Sequence, residues 1–503
     1  MMHLTKASRW KTVACLFATL AYIIATNGKV ETKISFHEKL EELWENRQDK
    51  NLNFYDFIAR EVFPAKKTLF QDVDTAIPAE FISSSGNGIE FKCPLFHNHT
   101  NPKSVHRLKP SDIDYVAAMG DSITAAFGAD SKNLLEIFIE YRGISWSIGG
   151  DKSLKEVVTL PNIIKEYYSG VNGFSVKTTP VKIRVPWRAH MNFAVSGAIS
   201  IDLPGQAEKL IADLKSKKDF EDSWKLLTIW IGGNDLCAIC KNDKHTLEKY
   251  VGGIRDALDM FHAEVPKMFV NLVQIIDVTE LALIEKPYCK VLHKVLCKCG
   301  TSAGEEVKKE VRQRAVDYRK GVDELINTGR YDTRNDFTVV VQPFFVNTKA
   351  PRMPDNKTID MSFFAPDCFH FSEKGHRAAA LALWNNMIEP VGKKRTEWTE
   401  GEQFECPNKK FPYFFTKKNS KEFLENSFEE ENKRLLFKEI EDFGSDKRIV
   451  NKSQSSDAAS ACLIAGGLLV VLAVLAVITV KKRRRSYQKL VNDTNQAQYN
   501  SIY

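Results

Sequence analysis

Residues 115–129 read YVAAMGDSITAAFGA. The run from Tyr115 to Met119 stops at Gly120, and an acid, a serine and small residues follow. A short apolar run bounded by glycine has the pattern of a fully buried strand. Ser122 then stands just past a strand end, where it is either a nucleophile or part of an ordinary turn. The Gly-Asp-Ser triplet is too short to decide between them. A serine nucleophile also needs a base, a group that orients the base, and donors for an oxyanion.

The same pattern recurs along the chain. Apolar, β-rich runs occupy Leu226 to Ile231, Met268 to Ile276 and Phe337 to Gln342. Between and after them lie amphipathic stretches at residues 203–217, 245–265, 305–326 and 374–388. Continuous apolar strands alternating with helices predict a parallel sheet covered on both faces. The expected fold is α/β: a three-layer α/β/α sandwich of flavodoxin-like type, spanning residues 109–415. Residues 36–63 carry helical spacing, so residues 27–108 are expected to form an N-terminal helical segment packing on that domain.

The two ends set the compartment. Residues 1–26 combine Lys6, Arg9 and Lys11 with the apolar run TVACLFATLAYIIAT, the layout of a secretory signal peptide. A retained anchor is the alternative, although the run is short for a span. Residues 458–480, AASACLIAGGLLVVLAVLAVITV, carry no charge and are followed by KKRRR at Lys481 to Arg485. That is the pattern of a transmembrane helix with a cytosolic basic flank. The expected topology is single-pass type I at the plasma membrane, with an extracellular catalytic domain. Residues 416–457, rich in Lys, Glu, Asn and Ser, read as a stalk, and residues 481–503 as a cytoplasmic tail. The net charge of +7 is modest and partly concentrated in KKRRR, so nucleic acid is not an expected partner.

Eight of the ten cysteines fall between the two apolar ends: Cys93, Cys237, Cys240, Cys289, Cys297, Cys299, Cys368 and Cys406. An even number in an oxidising compartment predicts structural disulfides, with the pairing open. Cys237-Ala-Ile-Cys240 also has the spacing of a redox or zinc pair, but no histidine pair accompanies it. Asn98, Asn356 and Asn451 head N-glycan acceptor triplets on the expected lumenal side, and Asn492 heads one on the cytosolic side. In the tail, Tyr487-Gln-Lys-Leu490 and Tyr499-Asn-Ser-Ile502 fit tyrosine-based sorting signals for adaptors; a flexible tail is the plainer alternative.

In open α/β sheets, ligands bind beyond the carboxyl ends of the strands. Gly120-Asp121-Ser122 and Gly232-Gly233-Asn234-Asp235 lie at two such ends, and Asn192-Phe-Ala-Val-Ser-Gly197 follows a shorter apolar run. Each is also good turn chemistry. A fourth feature, APDCFHFSEKGH, places Asp367 three residues before His370, ahead of the last helix. That spacing lets a carboxylate receive the Nδ1 proton of the imidazole and leaves Nε2 free to take a serine proton.

Together the four blocks resemble the GDSL, or SGNH, hydrolases. The serine, glycine, asparagine and histidine of that name fall on Ser122, Gly197, Asn234 and His370. KLLTIWIGGNDLC, RGISWSIGGD, VSGAISIDLPGQA, WNNMIEPVG and CPNKKFPYFFT extend the resemblance to the membrane-associated phospholipase B branch, over about Cys93 to Thr416. Animal members of that branch carry several tandem copies of the domain, whereas one is present here.

The resemblance implies Ser122 as nucleophile, His370 as general base and then acid, and Asp367 as its orienting carboxylate. The oxyanion hole would come from the backbone N–H groups of Ser122 and Gly197 and the side-chain amide of Asn234. Asp121 is a rival for the acid, but an acid adjacent to the nucleophile is expected to fix the turn instead, and Asp235 is read the same way. Cys368 is placed to pin this loop through a disulfide. No metal or cofactor is implied. The expected activity is hydrolysis of phospholipid and lysophospholipid acyl esters through an acyl-enzyme. Other lipid or carbohydrate acyl esters are the alternative substrates, because the motifs do not read the acyl acceptor. A non-catalytic receptor on a dead scaffold would be expected to lack a motif residue, and none is missing. The acyl groove is open; Phe127, Phe193 and Trp230 lie near motifs and are equally suited to the core.

Overall fold

The computed structural model describes residues 35–450, apart from 51, 72, 83–87, 96–98 and 400. The expected signal peptide, transmembrane span and tail lie outside the described residues, as do Asn98, Asn451, Asn492, Tyr487 and Tyr499.

The four apolar runs become strands. Numbered along the chain, β1 is Tyr115–Gly120, β2 Ile139–Glu140, β3 Thr179–Pro180, β4 Lys225–Trp230, β5 Met268–Val273 and β6 Phe337–Gln342. The main sheet has the order β1-β4-β5-β6 and every pairing is parallel; β2 and β3 form a separate antiparallel ribbon. Every residue of β4 and β5 is buried. That is why these strands read as unbroken apolar runs rather than as alternating ones.

Helices cover the sheet in two groups. Leu203–Lys215 packs on Leu247–Glu264 and β1, and Glu305–Asn327 packs on Leu247–Glu264 and β6. Glu373–Met387 packs on Leu160–Tyr167 and β6. All but Leu160–Tyr167 are the amphipathic stretches read from the sequence, with no end shifted by more than two residues.

Register positions the site. Gly120 pairs with Trp230 at the carboxyl end of the β1–β4 ladder, so Ser122 and Asn234 leave the sheet from the same edge. The third block does not follow a named strand. Instead it runs along the free edge of β1: Phe193 N–H donates to Ala118 O at 2.9 Å, and Val195 N–H to Gly120 O at 3.1 Å. That brings Gly197 to the same edge.

Two stretches differ from their expected form. Residues 36–63 are not one helix: Phe36–Glu45 ends at Asn46, and helix resumes at Phe54 with Asn53 as its cap, its side chain accepting from Asp56 N–H. Asn46, Asp49 and Asn53 favour turns and caps over helix interior, which breaks the run. Conversely, the stalk, in which only the run ENKRLLFKEIEDF at residues 431–443 has helical character in sequence, is helix for most of its length, Lys417–Val450. Its first turn is docked on the domain. Thr416 Oγ1 accepts from Asn419 N–H at 3.2 Å, and buried Asn419 donates to His106 O and Phe414 O, both at 2.9 Å.

Four disulfides join the described cysteines: Cys93–Cys406, Cys237–Cys297, Cys240–Cys299 and Cys289–Cys368. Cys237 and Cys240 bond to different partners rather than to each other, so the pair is structural.

Candidate active site

β1 ends at Gly120, whose φ of +151° and crowding require glycine: a Cβ there would lie 2.3 Å from Trp230 O. Gln206 clamps the same residue, accepting from its N–H and donating to its carbonyl, each at 2.9 Å. The chain then closes one turn. Phe127 N–H reaches Ser122 O at 3.0 Å, and Asp121 Oδ1 accepts from Ile123 N–H at 3.0 Å. Asp121 therefore holds the turn, as its place beside the serine suggested. Asp235 is equally committed, accepting from Ser200 N–H at 2.9 Å and Ser200 Oγ at 3.0 Å.

The last block meets the first. His370 Nε2 lies 2.7 Å from Ser122 Oγ, and His370 Nδ1 lies 2.5 Å from Asp367 Oδ2. Asp367 Oδ1 accepts from the N–H groups of Phe369 and His370, both at 3.0 Å. Burial pushes the Asp367 carboxyl upward, but the His370 ring and these hydrogen bonds outweigh it and hold the group below its ordinary value. An ionised Asp367 fixes the proton on Nδ1 and leaves Nε2 as an acceptor for the serine proton. The loop is pinned at Cys368, which has a positive φ of 61° and is bonded to Cys289 on helix Pro287–Leu296. His293 on that helix, 2.9 Å from Cys368 O, holds it again.

Three N–H donors in the segments leaving this edge have capacity to spare. Among the described residues the N–H groups of Ser122 and Gly197 donate to no other group. Asn234 Nδ2 spends one of its two N–H bonds on Ala198 O at 2.9 Å, which orients the amide and leaves the other. Gly197 has φ +83°.

Sequence reasoning missed what holds the Gly197 loop. Arg142 and Glu140 form a fully buried ion pair, 2.6 Å between Nη2 and Oε2. Arg142 donates to Asn192 O at 3.2 Å and Ala194 O at 3.1 Å, and Glu140 Oε1 accepts from Ser196 Oγ at 2.6 Å. A charged pair in β-ribbon sequence looks like a solvated face; only its burial marks it as a clamp. Tyr55 was missed as well. Its hydroxyl lies 3.1 Å from Ser122 Oγ and 2.9 Å from His370 Nε2.

An apolar cleft opens beside Ser122 and Asn234. Trp230, Ile276, Val278, Phe364, Phe369 and Trp398 are among the residues that line it. Phe127 and Phe193 are buried and lie elsewhere, Phe127 against the His370 ring at 4.7 Å between centroids.

Burial pushes the Asp121 carboxyl up to about 7, with Asp235 adding to the rise while the Ile123 N–H bond and His370 oppose it. In the unfolded chain an aspartate titrates near 3.9. Between those values native Asp121 keeps a proton that the unfolded chain has lost, so its stabilising contribution is full below about 4 and is lost as pH rises through about 7. Asp121→Asn keeps the acceptor for Ile123 and cannot titrate. The variant should therefore gain stability relative to the parent between pH 4.5 and 7.5, by about 1.4 kcal/mol per pK unit separating native from unfolded Asp121. Urea midpoints of both proteins at the two pH values measure this; a difference independent of pH rejects it.

The sequence model of the family described as GDSL-like Lipase/Acylhydrolase matches residues 116–383, more than half of the chain. "Phospholipase B1, membrane-associated" of Mus musculus is 46% identical over 351 residues, covering 66% of this chain and 23% of that protein. The proteins of the same name from Rattus norvegicus and Homo sapiens are each 44% identical, covering 66% of this chain and 24% of their own length. The chain thus spans about a quarter of the length of these curated relatives. With the family's match running from β1 through the Asp367–His370 loop into the helix that follows, this chain belongs to the GDSL-like lipase/acylhydrolase family.

Proposed function

We propose that this chain is a membrane-anchored serine esterase that hydrolyses phospholipid and lysophospholipid acyl esters. The observation that carries the reading is the unbroken hydrogen-bond chain Asp367–His370–Ser122 beside an apolar cleft. The names of the relatives, phospholipase B1, support the same substrate class.

In this reading His370 Nε2 takes the Ser122 proton as Oγ attacks the acyl carbon. The carbonyl oxygen becomes an oxyanion held by the N–H groups of Ser122 and Gly197 and by Asn234 Nδ2. His370 then gives its proton to the departing glycerol oxygen, leaving the acyl group on Oγ. Water repeats the sequence and releases the fatty acid. Asp367 stabilises the imidazolium at each stage without taking its proton. Each oxyanion donor is worth about 3 to 4 kcal/mol of transition-state stabilisation.

The type I placement rests on residues 458–480 and the KKRRR that follows them, and the relatives' name is in keeping with it. Among the described residues no helix is long and apolar enough to cross a membrane. Asn356, exposed in a turn, is an accessible glycan acceptor.

The cleft favours a lipid over a carbohydrate ester, since its lining offers apolar contact for an acyl chain. The test is a substrate panel on the purified chain: phosphatidylcholine, lysophosphatidylcholine, and acetylated sugars. Release of long-chain fatty acid at a kcat/KM at least about a hundredfold above that for sugar acetates is expected, an advantage of about 2.7 kcal/mol. The reverse order rejects the phospholipase reading and selects the carbohydrate esterase.

A further inference from the structure

Tyr55 occupies the space the reaction needs. This follows from three contacts and rests on the esterase reading above. First, its hydroxyl is within 3.1 Å of Ser122 Oγ and 2.9 Å of His370 Nε2. During acylation the departing oxygen must stand between those same atoms, bonded to the acyl carbon on Oγ and in reach of the Nε2 proton. During deacylation the attacking water must stand there too. Second, the Tyr55 ring lies on Gly197, where a Cβ would come within 2.6 Å of Tyr55 Cδ2. That covers a member of the proposed oxyanion hole. Third, Ser122, His370 and Tyr55 are all nearly inaccessible, at 2%, 0% and 4% exposure. Ser122 borders the cleft, but the space between its Oγ and His370 Nε2, where the departing oxygen must stand, is filled by the phenol.

The hydrogen bonding is also unproductive. With its Nδ1 proton toward Asp367, His370 has one lone pair, at Nε2, and two hydroxyls within reach of it. If Tyr55 donates to Nε2, the Ser122 proton must go elsewhere and is not available to the base. If Ser122 donates to Nε2, Tyr55 donates to one of the two lone pairs on Oγ and holds the phenol against the nucleophile. Burial pushes the phenol well above its ordinary value, so it stays a neutral donor.

Tyr55 belongs to a segment with a hydrophobic cluster of its own. Phe36, Leu40, Phe54, Phe57, Ile58 and Val62 form a satellite core against Phe127, Phe138 and helix Pro287–Leu296, distinct from the main core around the sheet. Besides the Tyr55 hydroxyl and a bond from His37 to the Pro366 backbone, its polar attachments include two ion pairs: half-buried Asp56 with Lys182 at 2.6 Å, and the more exposed Glu41 with Lys294 at 3.3 Å. Such partly exposed pairs contribute little. Lifting the segment would leave the sheet core intact while uncovering the satellite cluster, including Leu292 and Val295.

We propose that residues 35–70 are an intramolecular plug, with Tyr55 as the residue that closes the active site, and that substrate enters only when this segment is displaced. A site open for a fraction of the time reacts at a rate reduced by that fraction. Tyr55 is thus an occluding residue and not a catalytic one.

The test uses the full-length chain in detergent, as parent, Tyr55→Ala and Tyr55→Phe. The readouts are the rate of Ser122 labelling by an alkyl fluorophosphonate and kcat/KM on p-nitrophenyl butyrate. Tyr55→Ala should raise both by at least about tenfold, the release of a site open less than about a tenth of the time. Tyr55→Phe should raise them less, because the ring still covers Gly197. Equal rates in parent and Tyr55→Ala overturn the plug. So does a loss of activity in Tyr55→Phe with the fold intact, which would make the hydroxyl part of the chemistry. A second measurement needs no variant. Labelling the parent with a bulky fluorophosphonate must push Tyr55 aside, so amide hydrogen exchange in residues 54–62 should accelerate; unchanged protection overturns the plug. Ser122 unlabelled in every protein removes the esterase reading and the plug with it, whereas equal labelling removes the plug alone.

Discussion

Ser122→Ala is expected to lower kcat on phosphatidylcholine, the proposed substrate, by about four orders of magnitude or more, and to leave the fold intact. The loss is large because Ser122 Oγ is the atom that would carry the acyl group; in serine hydrolases the activity left after such a change is the contribution of the oxyanion hole and binding alone. The fold survives because the hydroxyl is not what holds the loop. Asp367 keeps its contacts to His370 and to the N–H groups of Phe369 and His370. With the serine oxygen gone, His370 Nε2 still has Tyr55 at 2.9 Å. Initial rates on mixed micelles, with thermal unfolding of the same samples, check both halves. Activity within about tenfold of the parent, where a nucleophile's loss should cost far more, would remove Ser122 from the chemistry.

The second large effect separates the two acids. Asp367→Asn is expected to lower kcat by about 10⁴-fold. An asparagine amide facing Nδ1 donates where the carboxylate accepted, which moves the imidazole proton to Nε2. The ring then offers Ser122 a donor and cannot take its proton. The buried imidazolium that forms during the reaction also loses its counter-charge. Asp121→Asn should cost much less, because the Asp121 carboxyl is spent on Ile123 N–H. Steady-state kinetics of both variants from pH 6 to 9 make the comparison. A larger loss in Asp121→Asn would reassign the orienting acid.

The order of these effects could be argued before any coordinates, and the reason is topological. A parallel sheet collects the carboxyl ends of its strands on one edge, so residues just past those ends meet regardless of their separation along the chain. Ser122 and His370 are 248 positions apart and still touch. Each strand could be found because burial on both faces leaves an unbroken apolar run. The Asp367–His370 pair was legible for a different reason: its contact is local, made within a single turn.

Other features resisted the same reading. Cys237 and Cys240 sit three residues apart, yet they bond to Cys297 and Cys299 separately. Nothing in spacing distinguishes that arrangement from a pair closed on itself. The stretch after Thr416 is polar enough to read as a stalk, but Thr416, Asn419 and Ser420 are buried against the domain. Polar side chains buried with satisfied hydrogen bonds look, in sequence, like exposed ones. The Arg142–Glu140 clamp was hidden by the same ambiguity.

By itself, then, the amino-acid order determined the strands and where they end, because periodicity is a property of short stretches, and it carried the motifs whose resemblance to a known family implied Ser122, Gly197, Asn234, Asp367 and His370 as the candidate site. The tertiary structure alone decided the disulfide partners, the clamp on the Gly197 loop and, above all, the place of Tyr55. In sequence Tyr55 is one more aromatic in an amphipathic run, indistinguishable from the Phe54 and Phe57 that flank it. It becomes the group beside Ser122 only because the N-terminal segment packs over an edge of the sheet that begins 60 residues later. A contact made by packing between segments leaves no mark on the spacing within either of them.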